Sequence, residues 1–345
     1  MVELNCEFPV FEKGRVAGRT NLVESGASRT NSFPVPPALG FTMLLACVQT
    51  DIRFAAVQEN LQTVLDTLEK LAEKNVDLAV FPECMLTGYA FESREEAWDV
   101  AINEDSEEIA EIISTSDRLG VPLTFGTMLR DSEKLRNAAL LVAGGKIVGR
   151  YHKIHLPHLG GDRFVDRGEI PYQAFTLPSK EKGEKGEQDA EQGDTARSPM
   201  RARVGLGICY DISFPEPMRA LGLAGADIIA LGTNWPVGAF RTAEIVPPAR
   251  SMENHLFFVA ANRIGHERGF DFCGISSICG PDGVELARAK GAEPEILFAE
   301  VDIAQARNKR IERTTGKHVI DRFADRQVEF YDTLTDPVRP NPTSE

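Results

Sequence analysis

Three reactive side chains stand at the ends of expected strands in this 345-residue chain. Glu83 follows a short run in Phe81-Pro82-Glu83-Cys84. Lys153 lies in Tyr151-His152-Lys153-Ile154-His155-Leu156-Pro157, and Cys209 in Gly207-Ile208-Cys209-Tyr210-Asp211. A thiol is a strong nucleophile only as thiolate, and its free pKa of about 8.5 leaves little thiolate at neutral pH. A carboxylate within reach takes the thiol proton and returns it to a leaving amine. An ammonium nearby stabilises the oxyanion of a tetrahedral intermediate. Cys, Glu and Lys therefore suffice for acyl transfer from an amide or nitrile. Singly, each has a plainer role: a solvated loop carboxylate, a surface lysine, a small buried thiol. Only the combination is informative.

The elements that must bring them together alternate along the chain. Met43 opens a strand over 43–49, and Val57, Leu61, Val64, Leu65, Leu68, Leu71 and Ala72 have helical spacing. Residues 76–81 form a buried strand ahead of Glu83, followed by a helix over about 104–118 and a strand over 121–128. Residues 137–142 and 146–152 pair as a hairpin around Gly144-Gly145 and deliver Lys153. Residues 204–209 deliver Cys209. Helices from about 215 and 241, strands over 227–231 and 256–261, a hairpin over 274–279 and 284–287, and a last strand over 297–301 follow. Strands and helices mixed in this way describe an α/β domain of two packed sheets covered by helices.

Three segments fall outside this pattern. Residues 1–42 mix Gly, Ser, Asn and Pro without periodicity and read as a flexible extension, so Met43 could be the true start. Residues 179–201 are almost wholly polar and charged and read as a solvated insertion. Residues 336–345 form a short tail, leaving 43–335 as the domain.

Lys+Arg number 38 and Asp+Glu 52, a net charge of −14 that disfavours a partner held through phosphates, so no nucleic-acid partner is expected. The six cysteines lie apart with no C-x-x-C pair, which excludes a dense disulfide scaffold or a zinc ribbon and fits a reduced, cytoplasmic compartment. No apolar run reaches the ~20 residues of a membrane helix, so no membrane partner is expected. His152, His155 and His158 have a suggestive spacing, but Pro157 interrupts them at a strand exit, and no metal site is assigned.

The three motifs in order, with Phe214-Pro215-Glu216 after the last, resemble the signatures of the nitrilase, or carbon–nitrogen hydrolase, superfamily over about 43–335. The resemblance implies a four-layer α-β-β-α sandwich, a Glu83–Lys153–Cys209 triad, a thioester on Cys209 released by water, no cofactor, and a homodimer or larger homo-oligomer. Gly232-Thr233-Asn234-Trp235-Pro236 and Arg250-Ser251-Met252-Glu253-Asn254 also look family-like. Setting the 179–201 insertion aside brings the Lys153-to-Cys209 interval close to the family pattern.

Two departures stand out. Many members carry a second glutamate after the lysine segment; here Asp162, one methylene shorter and offset by about one position, is the nearest carboxylate. Amidase-like members often show arginine four residues after the cysteine, where this chain has Ser213. The Cys209-Tyr210-Asp211 context resembles amidase-like branches, whereas true nitrilases typically follow the cysteine with Trp-Glu. The expected substrate is a small linear amide, with nitrile or N-carbamoyl compounds as alternatives, and Asp162, Tyr210, Asn234 and Trp235 are candidate substrate contacts. Two other classes remain open at this level: a metal-dependent phosphoesterase on a two-sheet sandwich, and a catalytically idle interaction module.

Overall fold

A computed structural model describes residues 41–178 and 201–336. The sequence-based expectations for 1–40, 179–200 and 337–345 lie outside the described residues.

The first strand, β1 (Thr42–Gln49), alternates its two faces into two different cores. Leu45 and Cys47 pack with Leu78, Val80, Leu141, Val204, Leu206 and Val259, between two sheets. Ala46 and Val48 pack on the other face with Leu61, Val64, Leu68 and Leu71 of helix α1 (Val57–Ala72). Period-two alternation buried on both sides is what a strand inside a layered sandwich requires.

The first six-stranded sheet has the order β14-β1-β2-β3-β4-β5. Its other strands are β2 (Leu78–Val80), β3 (Leu123–Asp131), β4 (Lys134–Ala143), β5 (Lys146–His152) and β14 (Glu295–Asp302). β1, β2 and β3 run parallel, and β3, β4 and β5 are antiparallel neighbours. A short helix α2 (Arg94–Val100) and helix α3 (Glu107–Leu119) precede β3. Helix α3 is capped by the Ser106 side chain and closed by Gly120 at φ +67°, and covers the outer face with α1.

The second sheet has the order β13-β12-β9-β8-β7-β6. It comprises β6 (Ala174–Thr176), β7 (Arg203–Ile208), β8 (Ile228–Thr233), β9 (Phe257–Asn262), β12 (Ser277–Cys279) and β13 (Glu285–Arg288), while β10 (His266–Glu267) and β11 (Phe270–Asp271) form a separate ribbon. Helices α4 (Pro215–Leu223) and α5 (Phe240–Asn254) pack on its outer face, completing the expected α-β-β-α order.

The chain then returns to the first sheet, since β14 pairs antiparallel with β1 at its edge. A short helix α6 (Ile303–Arg307) and a hairpin of β15 (Arg310–Thr314) and β16 (His318–Asp321) follow, the hairpin unanticipated in the sequence reading. Strand β7 ends at Ile208, one residue short of the expected boundary, so Cys209 starts a tight 3-10 turn, Cys209–Ser213.

Candidate active site

Glu83 sits on a turn beyond β2 that is wedged between both sheets. The Gly126 N–H on β3 donates to Pro82 O at 3.2 Å, and a Cβ on Gly126 would lie 2.5 Å from the Cys84 nitrogen. From the opposite sheet, a Cβ on Gly232 of β8 would lie 2.8 Å from the Glu83 nitrogen. Only glycine permits these approaches. Cys84 takes a left-handed φ of 52°, which turns the chain back after Glu83.

Lys153 follows β5, with its N–H on Asn137 O at 2.9 Å and its side chain buried. Cys209 begins the 3-10 turn at φ 42°, a strained conformation for a residue with a Cβ. Pro215 opens helix α4 just beyond, where a missing N–H costs nothing. The turn is tied to the lysine segment by Asp211. Its Oδ2 accepts from Ile208 N at 2.9 Å and Tyr151 OH at 2.8 Å, and its Oδ1 lies 2.8 Å from His155 Nδ1. His155 is thereby committed to Asp211, and it stacks on Phe214.

The polar interior is dense. Lys153 Nζ donates to Glu83 Oε1 at 2.7 Å and to Asp162 Oδ2 at 2.5 Å. Asn137 Nδ2 donates to Glu83 Oε1 at 2.8 Å and to Asp162 Oδ1 at 2.9 Å. Tyr89 OH donates to Asp162 Oδ2 at 2.8 Å. Glu83 Oε2 is buried without a hydrogen-bond partner.

Asn137 and Tyr89 were not among the expected site residues. An asparagine heading the apolar run 138–143 was the available signal for the first; for Tyr89, in an apolar stretch, there was none. Of the expected substrate contacts, Asp162 joins this cluster. Asn234 and Trp235 follow β8, the strand beside the one that delivers Cys209; both are buried, and the Asn234 carboxamide has no partner on either atom. Tyr210 is 38% exposed, edge-on to Phe214.

Burial sets the protonation states. Loss of water pushes the Cys209 thiol up to about 12, with the Glu83 charge adding to the shift, while Lys153, Thr233 and the Asn234 N–H act in the opposite sense. The resting sulfur is therefore a thiol. Burial also raises Glu83 above the usual carboxylate range, outweighing the pull of Lys153. Burial alone would discharge Lys153, but Asp162 and Glu83 outweigh it and hold the ammonium well above its ordinary range. A neutral thiol, a carboxylate with one uncommitted oxygen and a fixed ammonium are thus all buried, and the thiol feels the charge of the other two.

Comparison with known proteins gives the family. The carbon-nitrogen hydrolase family profile matches residues 44–311. A nitrilase of Pyrococcus abyssi is 31% identical over 288 residues, covering 83% of this chain and 98% of its own. A 2-oxoglutaramate amidase of Bacillus subtilis is 28% identical over 269 residues, covering 77% and 93%. Among solved structures, a nitrilase-superfamily amidase of Nesterenkonia superposes with a TM-score of 0.65 at 22% identity, over 86% of this chain and 98% of its own. Another structure of that amidase carries the acetamide moiety of fluoroacetamide on its active-site cysteine. With the family profile spanning most of the chain and the sandwich shared, this protein belongs to the carbon–nitrogen hydrolase family of the nitrilase superfamily and is a carbon–nitrogen hydrolase.

Proposed function

We propose that the enzyme hydrolyses a small linear amide to a carboxylate and ammonia through a thioester on Cys209. The observation that carries this reading is a buried Cys209 thiol that feels the charges of Glu83 and Lys153, beside a Glu83 whose Oε2 is uncommitted while its Oε1 is held by Lys153 and Asn137. Because the resting sulfur is protonated, proton transfer to Glu83 accompanies attack on the amide carbon. The oxyanion that forms takes hydrogen bonds from Lys153. When the carbon–nitrogen bond breaks, protonated Glu83 returns its proton to the leaving nitrogen, and ammonia departs. Glu83 then accepts a proton from water as the oxygen attacks the thioester. Collapse releases the carboxylic acid, and the thiol is restored with the proton held by Glu83.

The test is ammonia release from a panel of small amides, nitriles and carbamoyl compounds. Cys209→Ala is expected to abolish it with the fold intact, and turnover in that variant would exclude the mechanism. Lys153→Ala should act chiefly on kcat, because the lysine meets charge that develops in the transition state. A nitrile is the second reading, favoured by the P. abyssi relative described as a nitrilase. Asn234 and Trp235 are assigned to the acyl side of the pocket and Tyr210 to its rim.

A homodimer or larger homo-oligomer is part of the same reading. Phe240, Ile245 and Met252 on α5, with Leu223 on α4, are exposed apolar side chains on one outer layer. Exposed apolar side chains on one layer are suited to a second copy. A cytoplasmic location is proposed as well; no described helix is long and apolar enough to cross a membrane.

A further inference from the structure

The two carboxylates around Lys153 differ in what they leave free. Glu83 commits only Oε1, and its Oε2 has no partner. Asp162 commits both oxygens: Oδ1 to Asn137, and Oδ2 to Lys153 and to Tyr89. A carboxylate with three donors already in place is poorly disposed to take a further bond from a substrate, whereas an orphaned buried oxygen is costly until something meets it.

Tyr89 is itself unusually well held. Its N–H and that of Ala90 both donate to Glu267 Oε1, at 2.8 and 2.6 Å. The other oxygen of Glu267 pairs with Arg263, which is fully buried and reaches Ile52 O at 2.6 Å and Asp51 Oδ1 at 3.1 Å. Tyr89 also brackets the turn that carries Asp162, since its carbonyl accepts from Gly161 N at 2.7 Å. A Cβ on Gly160 would come within 2.5 Å of its ring. Lys153 Nζ lies 5.8 Å from the centre of the same ring.

We propose that Tyr89, gripped by Glu267 and Arg263, is a positioning residue whose hydroxyl pins Asp162 against Lys153, so that Asp162 anchors the lysine and leaves the substrate amide to Glu83. This rests on the hydrolase reading above. It gives Asp162 a different task from a substrate contact, and it extends the machinery through an ion pair on the far side of Tyr89.

The test compares native enzyme, Tyr89→Phe and Asp162→Asn on the best amide found, with circular dichroism and Tm as fold controls. Tyr89→Phe keeps the ring and removes one charge-assisted hydrogen bond. It should lower kcat about tenfold with KM held within about threefold. Asp162→Asn takes away one of two anions that keep Lys153 charged, so the alkaline limb of kcat should move to lower pH, which a purely structural role would not cause. In Cys209→Ala crystals soaked with that amide, the amide should lie within hydrogen-bond distance of Glu83 and beyond it from Asp162. A native kcat in Tyr89→Phe, or a raised KM in Asp162→Asn with kcat and its alkaline limb unmoved, would overturn the assignment alone. No turnover of any amide, nitrile or carbamoyl compound by native enzyme would overturn the hydrolase reading and this assignment with it.

Discussion

Gly232 of the second sheet lies against Glu83 of the first so closely that a Cβ would sit 2.8 Å from the Glu83 nitrogen and 3.0 Å from Phe81 O. The nearest atoms are backbone, so no side-chain rotation relieves the clash. Gly232→Ala should therefore force the Glu83 turn away from β8 and cost about 1–3 kcal/mol, as overpacking of a filled interior does. A lowered Tm together with a reduced kcat would be expected. Native values of both would show that the two sheets tolerate more separation at the site than their contact suggests.

Glu83 is raised above its ordinary 4.5 chiefly by burial, and this has opposite consequences for rate and stability. As the proposed base it must be ionised, so the acid limb of kcat/KM should fall above pH 4.5. For stability, a carboxyl whose folded pKa exceeds its unfolded one favours the fold below the unfolded value, and that contribution is lost as pH rises through the folded value. Glu83→Gln should thus abolish turnover while raising Tm relative to native enzyme more at pH 8 than at pH 4. A variant destabilised most at pH 8 would mean that the Lys153 pairing outweighs burial.

What could be read from the chain follows from which forces are local. The strands ahead of Glu83 and Cys209 are short apolar runs and the one ahead of Lys153 is marked by the Gly144-Gly145 hairpin turn, so their existence and order were legible, as was the layered architecture they imply. Helix α2 was missed although Ser93 accepts from the Glu96 N–H, a capping pattern visible in Ser93-Arg94-Glu95-Glu96; only Ala97 on it is buried, too little for an apolar stripe. The β15–β16 hairpin has no buried face and so left no periodic signature. Tyr89 and Asn137 belong to the site through contacts 73 and 54 residues away in sequence, which no local pattern encodes.

Asp211 joins the turn that carries Cys209 to the lysine segment through a carboxylate that only accepts. Its partners are the Ile208 N–H, the Tyr151 and Tyr172 hydroxyls and His155, and it is fully buried. Asp211→Asn would set an NH2 group against at least one of these donors, costing about 1–3 kcal/mol for the bond lost and the group left unsatisfied. Because the turn carrying Cys209 is also strained, kcat should fall along with Tm. A stable variant with native kcat would show that the turn is held by its packing alone.

The charge of the site also bears on which amides it accepts. Glu83 and Asp162 surround a single Lys153, and the neighbouring arginines are already engaged. Arg250 donates to Ile212 O at 2.9 Å and pairs with Glu253 at 3.1 Å, and Arg163 donates to Phe91 O at 2.8 Å. Ser213 stands exposed where amidase-like relatives often carry an arginine. An acyl chain bearing its own carboxylate would enter a cluster of two acids and one base, and these arginines of the described residues are already engaged. Butyramide should therefore be preferred to succinamate by about tenfold or more in kcat/KM, the effect of about 1.4 kcal/mol of unfavourable charge interaction. The discrimination should survive added salt, because the interacting groups are buried and little screened. Preference for succinamate would place an uncommitted cation beside the proposed acyl side of the site and point to ω-amido acids as substrates.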